Sequence, residues 1–99
     1  MTHYEREGGG ASFDIADKFT VRQQLAYRSL LAEPGEPLFV RHWAATQTVI
    51  TNWQSDVIAD PATFDLDASS DTRAADVIAW ASNKVAAHIT RQEAVDPND

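Results

Sequence analysis

The chain has 99 residues, 43% hydrophobic and 23% charged, with a net charge of −7, a pI near 4.7 and no cysteine. That length makes one domain, able to bury roughly two thirds of the surface its unfolded chain exposes. The acidic balance speaks against general binding to a phosphate backbone, which needs clustered lysine and arginine. The missing cysteine excludes a disulfide framework, a thiolate metal site and a cysteine nucleophile.

The opening "MTHYEREGGGAS" is polar and aperiodic with a triple glycine at Gly8–Gly10, which predicts a flexible arm over 1–12. It has no apolar h-region, and no apolar run approaches the length of a bilayer span, so neither secretion by a standard signal nor membrane insertion is expected. "FDIADKF" places Phe13, Ile15 and Ala16 among acidic residues, enough for a short extended segment.

"TVRQQLAYRSLLAEPGEP" predicts a helix over about 20–32. Thr20 and Gln23 have capping-box spacing, Val21, Leu25, Tyr27, Leu30 and Leu31 give a broad apolar face, and the Pro–Gly cluster stops it. A second helix is predicted over about 38–58, started by Pro37. Phe39, Trp43, Thr46, Ile50, Trp53 and Val57 follow steps of four and three. The β-branched run Thr46, Thr48, Val49, Ile50, Thr51 lowers helix propensity and makes a strand the rival, but the alternation is poor and helix is preferred.

"ADPATFDLDASSD" reads as a link in which Phe64 and Leu66 tuck against the core. Ser70 or Asp71 can cap a third helix over about 71–91, with Ala74, Ile78, Ala81, Val85 and Ile89 as its stripe. The expected fold is therefore all-α: a small three-helix domain over 13–92, a flexible N-terminal arm and a short acidic tail over 93–99.

Catalytic and metal chemistry find little purchase. Asp65, Asp67, Ser69, Asp71 and Asp76 fall at positions one, three, five, seven and twelve of an EF-hand count. Position six is Ser70 where the turn wants glycine, however, and Asp76 is shorter than the bidentate glutamate. A solvated link with carboxylates near a helix N-terminus is the better reading. His3, His42 and His88 stand apart, too few for a metal site. No serine lies in a nucleophile elbow and no glycine-rich loop leads into a helix with a lysine. No cofactor, no metal and no enzymatic activity are expected.

The aromatic residues carry more. Trp43 and Trp53 sit ten positions apart in a chain with three tryptophans, and tryptophan is enriched in cores and interface hot spots alike. Trp43 is expected in the core and Trp53 at a contact surface shared with Phe39, Ile50, Val57 and Trp80, because two partner helices cannot cover so long an apolar face.

"FDIADKFTVRQQLAYRSLL", "LFVRHWAATQTVITNWQSDVI" and "DLDASSDTRAADVIAWASNKVAAHI" together resemble the small tail assembly chaperones of long-tailed bacteriophages that infect actinobacteria. The shared features are an extended start before "TVRQQLAY", an arginine and tryptophan early in the second helix, a second tryptophan closing it, "DLD" in the link and "VIAWA" in the last helix. The resemblance covers most of 13–90; the arm falls outside it. It implies a mostly helical, non-enzymatic protein in the host cytoplasm that binds the tape measure protein during tail assembly and is absent from the virion. It also implies a longer, frameshifted form of the same chain as a partner, this chain being the short form, with homo-oligomers possible. Neither nucleic acid nor membrane is expected as partner. The rival readings are a virion structural component (head–tail or decoration protein) and an acidic inhibitor or antitoxin. Mimicry of nucleic acid predicts carboxylates dense on one face with the rings inside, whereas chaperoning predicts rings on the contact face.

Overall fold

A computed structural model describes residues 1–95. Two short strands, β1 (Thr2–Glu5) and β2 (Ala11–Ile15), precede two helices, α1 (Val21–Ala32) and α2 (Leu38–Gln47). A third strand, β3 (Ile50–Ser55), and a long helix, α3 (Thr72–Val95), complete the chain. The strands form one antiparallel sheet in the order β1-β2-β3, with the α1–α2 pair inserted between the central strand and its second neighbour. The fold is therefore mixed α/β, which overturns the all-α expectation at two places.

The first correction is the arm. Residues 2–15 form a β-hairpin rather than a flexible lead, with Thr2 opposite Ile15 and Tyr4 opposite Phe13. Gly8, Gly9 and Gly10 all adopt positive φ (88°, 88° and 97°), a region that side-chain-bearing residues avoid. The glycines that looked like flexible spacer are the turn. Along β2, Ala11, Phe13 and Ile15 are buried while Ser12 and Asp14 face the other way, the period of two that a half-covered sheet requires.

The second correction is the helix expected over 38–58, which stops at Gln47 and gives way to β3. The β-branched run is where it breaks, since these residues lose rotamer freedom in a helix and pack well on a pleated surface. The step of three from Ile50 to Trp53, which mimics a helix, comes from a bulge. Ser12 pairs with Gln54 and Asp14 with Thr51, so two residues of β3 oppose Phe13 alone. Asn52 sits at φ 53°, a left-handed conformation that asparagine tolerates better than most residues. The kink turns both Ile50 and Trp53 partly inward and leaves Thr51 and Asn52 exposed.

The helical parts keep their expected caps, but the apolar face expected on α1 does not hold: of Val21, Leu25, Tyr27, Leu30 and Leu31 only Tyr27 is buried, and Val21 and Leu25 are exposed. Both bonds of the Thr20–Gln23 capping box form, at 2.9 and 3.2 Å. Asp71 caps α3 by accepting from the Arg73 amide at 2.9 Å. Of the acidic tail assigned to 93–99, residues 93–95 continue α3, and 96–99 lie outside the described residues.

Helix α3 crosses the inner face of the sheet. Phe13, Ile15, Phe19, Trp43, Ala81, Val85 and Ile89 share one core, and Ala11, Ile58, Ala74 and Val77 a second beside it. At the far end, the buried Gln92 amide accepts from the Phe19 N–H (2.7 Å) and donates to the Phe19 carbonyl (3.0 Å), satisfying main-chain groups that no strand reaches. The molecule measures 45 × 32 × 17 Å, and its outer sheet face is left to solvent. There His3, Asp14 and Asn52 run across the three strands, Asp14 bonded to His3 at 2.7 Å and to Asn52 at 3.0 Å. Among the described residues, no helix is long and apolar enough to cross a membrane.

Candidate functional site

One groove stands out, of about 710 Å³, between α2, the 61–71 link and the first half of α3. Each wall has a local cause. On α2, Phe39, Val40 and Trp43 share a flank because residues three and four apart stack on one face. On α3, Ala74, Ala75, Ile78, Ala79 and Ser82 are mostly small, so the helix offers a trough rather than a ridge. The third wall is a chain of side-chain-to-backbone turns: Asp60 accepts from the Ala62 amide, Asp65 from Asp67, and Ser69 from Asp71. Short polar side chains that bond two residues ahead fix such turns without regular structure. Phe64 and Leu66 line the groove from that wall.

The groove is apolar inside and acidic at its edge. Phe39 is 71% exposed, its neighbour Leu38 61% and Leu66 38%, an unusual amount of apolar surface for one corner of so small a chain. Glu36, Asp67 and Asp71 also line it, and no lysine or arginine does. The Arg73 guanidinium and amide bond to Asp71 and hold its carboxyl below the usual range. His42 reaches the groove from α2 and shares a 3.0 Å hydrogen bond with the Tyr27 hydroxyl of α1. Burial lowers the His42 pKa and raises that of Tyr27.

The five side chains expected at a partner surface do not gather in one place. Phe39 lies on the groove. Ile50, Trp53, Val57 and Trp80 are half-buried and pack against the two cores. Trp53 stacks on Phe13 (centroids 6.3 Å apart, 14° between planes), and its indole N–H donates to the Ile58 carbonyl at 2.7 Å. Trp80 meets Phe13 edge-on at 5.3 Å. Trp43, expected in the core, is 2% exposed. Sequence reasoning missed the groove's acidic edge and the small face of α3. The spacing of Ala74, Ile78 and Ser82 was the available signal, but a small-residue stripe also describes any closely packed helix.

The remaining titratable clusters are structural clasps. His88, 7% exposed, must donate from Nε2 to the Ala16 carbonyl at 2.8 Å, because a carbonyl only accepts. Nδ1 shares a 2.9 Å hydrogen bond with the Tyr4 hydroxyl, whose oxygen also accepts from Arg91 at 2.7 Å. Among the described residues, no three His, Asp or Glu side chains converge as a metal site. Within the EF-hand-like stretch, Asp65 spends an oxygen on its turn and Asp71 both of its oxygens on Arg73. No protein-family model, curated protein or solved structure matches this chain.

Proposed function

We propose that this chain is a non-enzymatic assembly chaperone of the phage-tail kind, which holds the tape measure protein while the tail is built. The observation that carries the reading is the apolar groove, with Phe39 71% exposed at its edge on a chain of net charge −7. A soluble carrier of an aggregation-prone partner needs that combination: apolar surface for the client and like charge to keep the carrier dispersed. The resemblance of most of residues 13–90 to tail assembly chaperones supplies the identity of the client, and a longer form of the same chain is a second expected partner.

Co-expression with the tape measure protein of the same phage tests it. The tape measure protein should become soluble and co-purify with this chain, and purified virions should lack the chain by mass spectrometry. A tape measure protein equally soluble alone, or this chain present in virions at structural copy number, overturns the reading.

A further inference from the structure

The sheet ends at β1 on one side and at β3 on the other, and the two edges differ. β3 carries the bulge opposite Phe13 and the left-handed Asn52, irregularities that twist a strand away from a second ladder. β1 has no bulge, no proline and no lysine, and its register with β2 runs without a shift from Thr2 to Glu5. Among the described residues, β2 is the one strand that pairs with it.

The hydrogen-bond phase decides which main-chain groups that edge offers. The Arg6 amide donates to the Ala11 carbonyl at 2.9 Å, so Arg6 and Ala11 form a hydrogen-bonded pair. Bonded and non-bonded pairs alternate along an antiparallel ladder. Tyr4–Phe13 and Thr2–Ile15 are therefore bonded, and His3–Asp14 and Glu5–Ser12 are not. The N–H and C=O groups of His3 and Glu5 thus point away from β2, out of the edge of the sheet. Their side chains stand on the outer face, 52% and 76% exposed.

We infer that β1 pairs with β1 of a second copy of this chain, antiparallel about a two-fold axis at Tyr4, with His3 of each copy opposite Glu5 of the other. Charge selects the register. Within Thr2–Glu5, outward residues can be set opposite one another in three ways: His3 on His3, Glu5 on Glu5, or His3 on Glu5. The first two place like groups across the axis, which is destabilising, and each joins the strands through a single bonded pair. The third sets imidazole against carboxylate twice and forms two bonded pairs, with Cα atoms about 5.5 Å apart in each. The Asp14 hydrogen bond raises the His3 pKa from 6.5, so the imidazole is a cation at about pH 6. Asp14 and Glu5 of its own chain face it as well.

The net charge of −7 is not concentrated at this edge. Residues 56–76 hold six of the fifteen acidic residues. Beside β1, Lys84 Nζ lies 6.0 Å from the Tyr4 ring centroid and Arg91 donates to the Tyr4 hydroxyl, so cations border the strand on its inner face. Pairing joins two three-stranded sheets into one of six strands through an isologous contact that closes at two copies. A strand of four residues buries little surface, so the dimer is weak and forms as concentration rises. The inference goes beyond the chaperone reading and does not depend on it.

Sedimentation equilibrium of the whole chain at about pH 6, over a wide range of concentration, should show monomer passing to dimer and to nothing larger. Hydrogen exchange of the His3 and Glu5 amides should slow across that range, while exchange of the Tyr4 amide, already bonded within the hairpin, should change little. Glu5→Pro removes an outward donor that β2 does not use and should give a folded monomer. Glu5→Lys should weaken the dimer roughly tenfold. It also makes the chain less negative, so a general charge effect would act the other way. His3→Lys keeps a cation opposite Glu5 and should leave the dimer as strong as the parent. A monomer at every concentration, a dimer that Glu5→Lys leaves unchanged or tightens, or His3 and Glu5 amides indifferent to concentration overturns the inference. Should Glu5→Pro fail to fold, Glu5→Lys and the amide exchange decide. Co-purification of the tape measure protein tests the chaperone reading and not this pairing.

Discussion

The rings of Trp43 and Trp53 meet edge-on, centroids 6.1 Å apart with 66° between their planes, tying α2 to the strand that follows it. Trp43→Ala removes the better buried partner and should cost about 3–5 kcal/mol, as for other large core truncations. Trp53→Phe keeps a ring against Phe13 but strands the carbonyl of the buried Ile58. A loss of about 1–3 kcal/mol is expected for an unsatisfied buried acceptor. Urea denaturation of both variants checks the order. A Trp53→Phe protein as stable as the parent would mean that the Ile58 carbonyl finds water instead.

The hairpin turn offers a conformational test free of packing. Nothing lies within 4 Å of a Cβ built on Gly9, yet its φ is 88°. Gly9→Ala should therefore destabilise by about 1–2 kcal/mol through backbone strain alone, and Gly9→Asn by less, because asparagine visits positive φ more readily. Thermal melts of the two variants should separate in that order.

Two histidines push stability in opposite directions with pH. Burial lowers the His42 pKa from 6.5. The unfolded chain thus takes up that proton more readily, and the stability is complete above 6.5 and lost as pH falls through the lower folded value. The Asp14 hydrogen bond raises the His3 pKa from 6.5, so its contribution is complete below 6.5 and lost as pH rises past the folded value. His3 is exposed on the sheet face, and solvent screens that contribution. The melting temperature should therefore fall from about pH 7 to about pH 5, and His42→Gln should flatten the fall. Further down, Asp14 (held low by Asn52, then His3), Asp17 (by the terminal amine) and Asp71 (by Arg73) lie below 3.8. Their stabilisation is present above 3.8 and lost beneath it. A His42→Gln melt that still drops between pH 7 and pH 5 would point to a different group.

Groove substitutions should separate binding from folding. Phe39 and Leu66 are exposed, so Phe39→Ser and Leu66→Ser should leave stability within about 0.5 kcal/mol. Each should lower retention of the client in a pull-down. Trp80→Ala, which opens a hole beside Phe13, should instead lower the melting temperature. If Phe39→Ser retains the client in full, the groove is not the client surface.

What could be read from the sequence follows the range of the signals. Helix α1 was legible to within a residue because its capping box and its Pro–Gly stop are both local to 20–37. The hairpin was not, because β1 shows only Tyr4 and Thr2 as inward residues, and a triple glycine reads equally as spacer or turn. The Ile50–Trp53 step misled because a bulge and a helix produce the same spacing, and only pairing with Phe13 distinguishes them. In the groove, Phe39 was legible as an apolar residue without an evident partner. The acidic edge was not, since Asp67 and Asp71 become neighbours of α2 only after the link folds back.

The clasp between Tyr4 and His88 joins positions 84 residues apart, which bears on how the chain folds as it is made. At about 5–20 residues per second, the ribosome needs about 4–17 s to supply His88 after Tyr4. During that interval the hairpin holds Phe13 and Ile15 without α3 to lie across them. Contacts so far apart in sequence close late, so a protein expected to guard another from aggregation passes first through a stage in which α3 does not yet cover its own sheet.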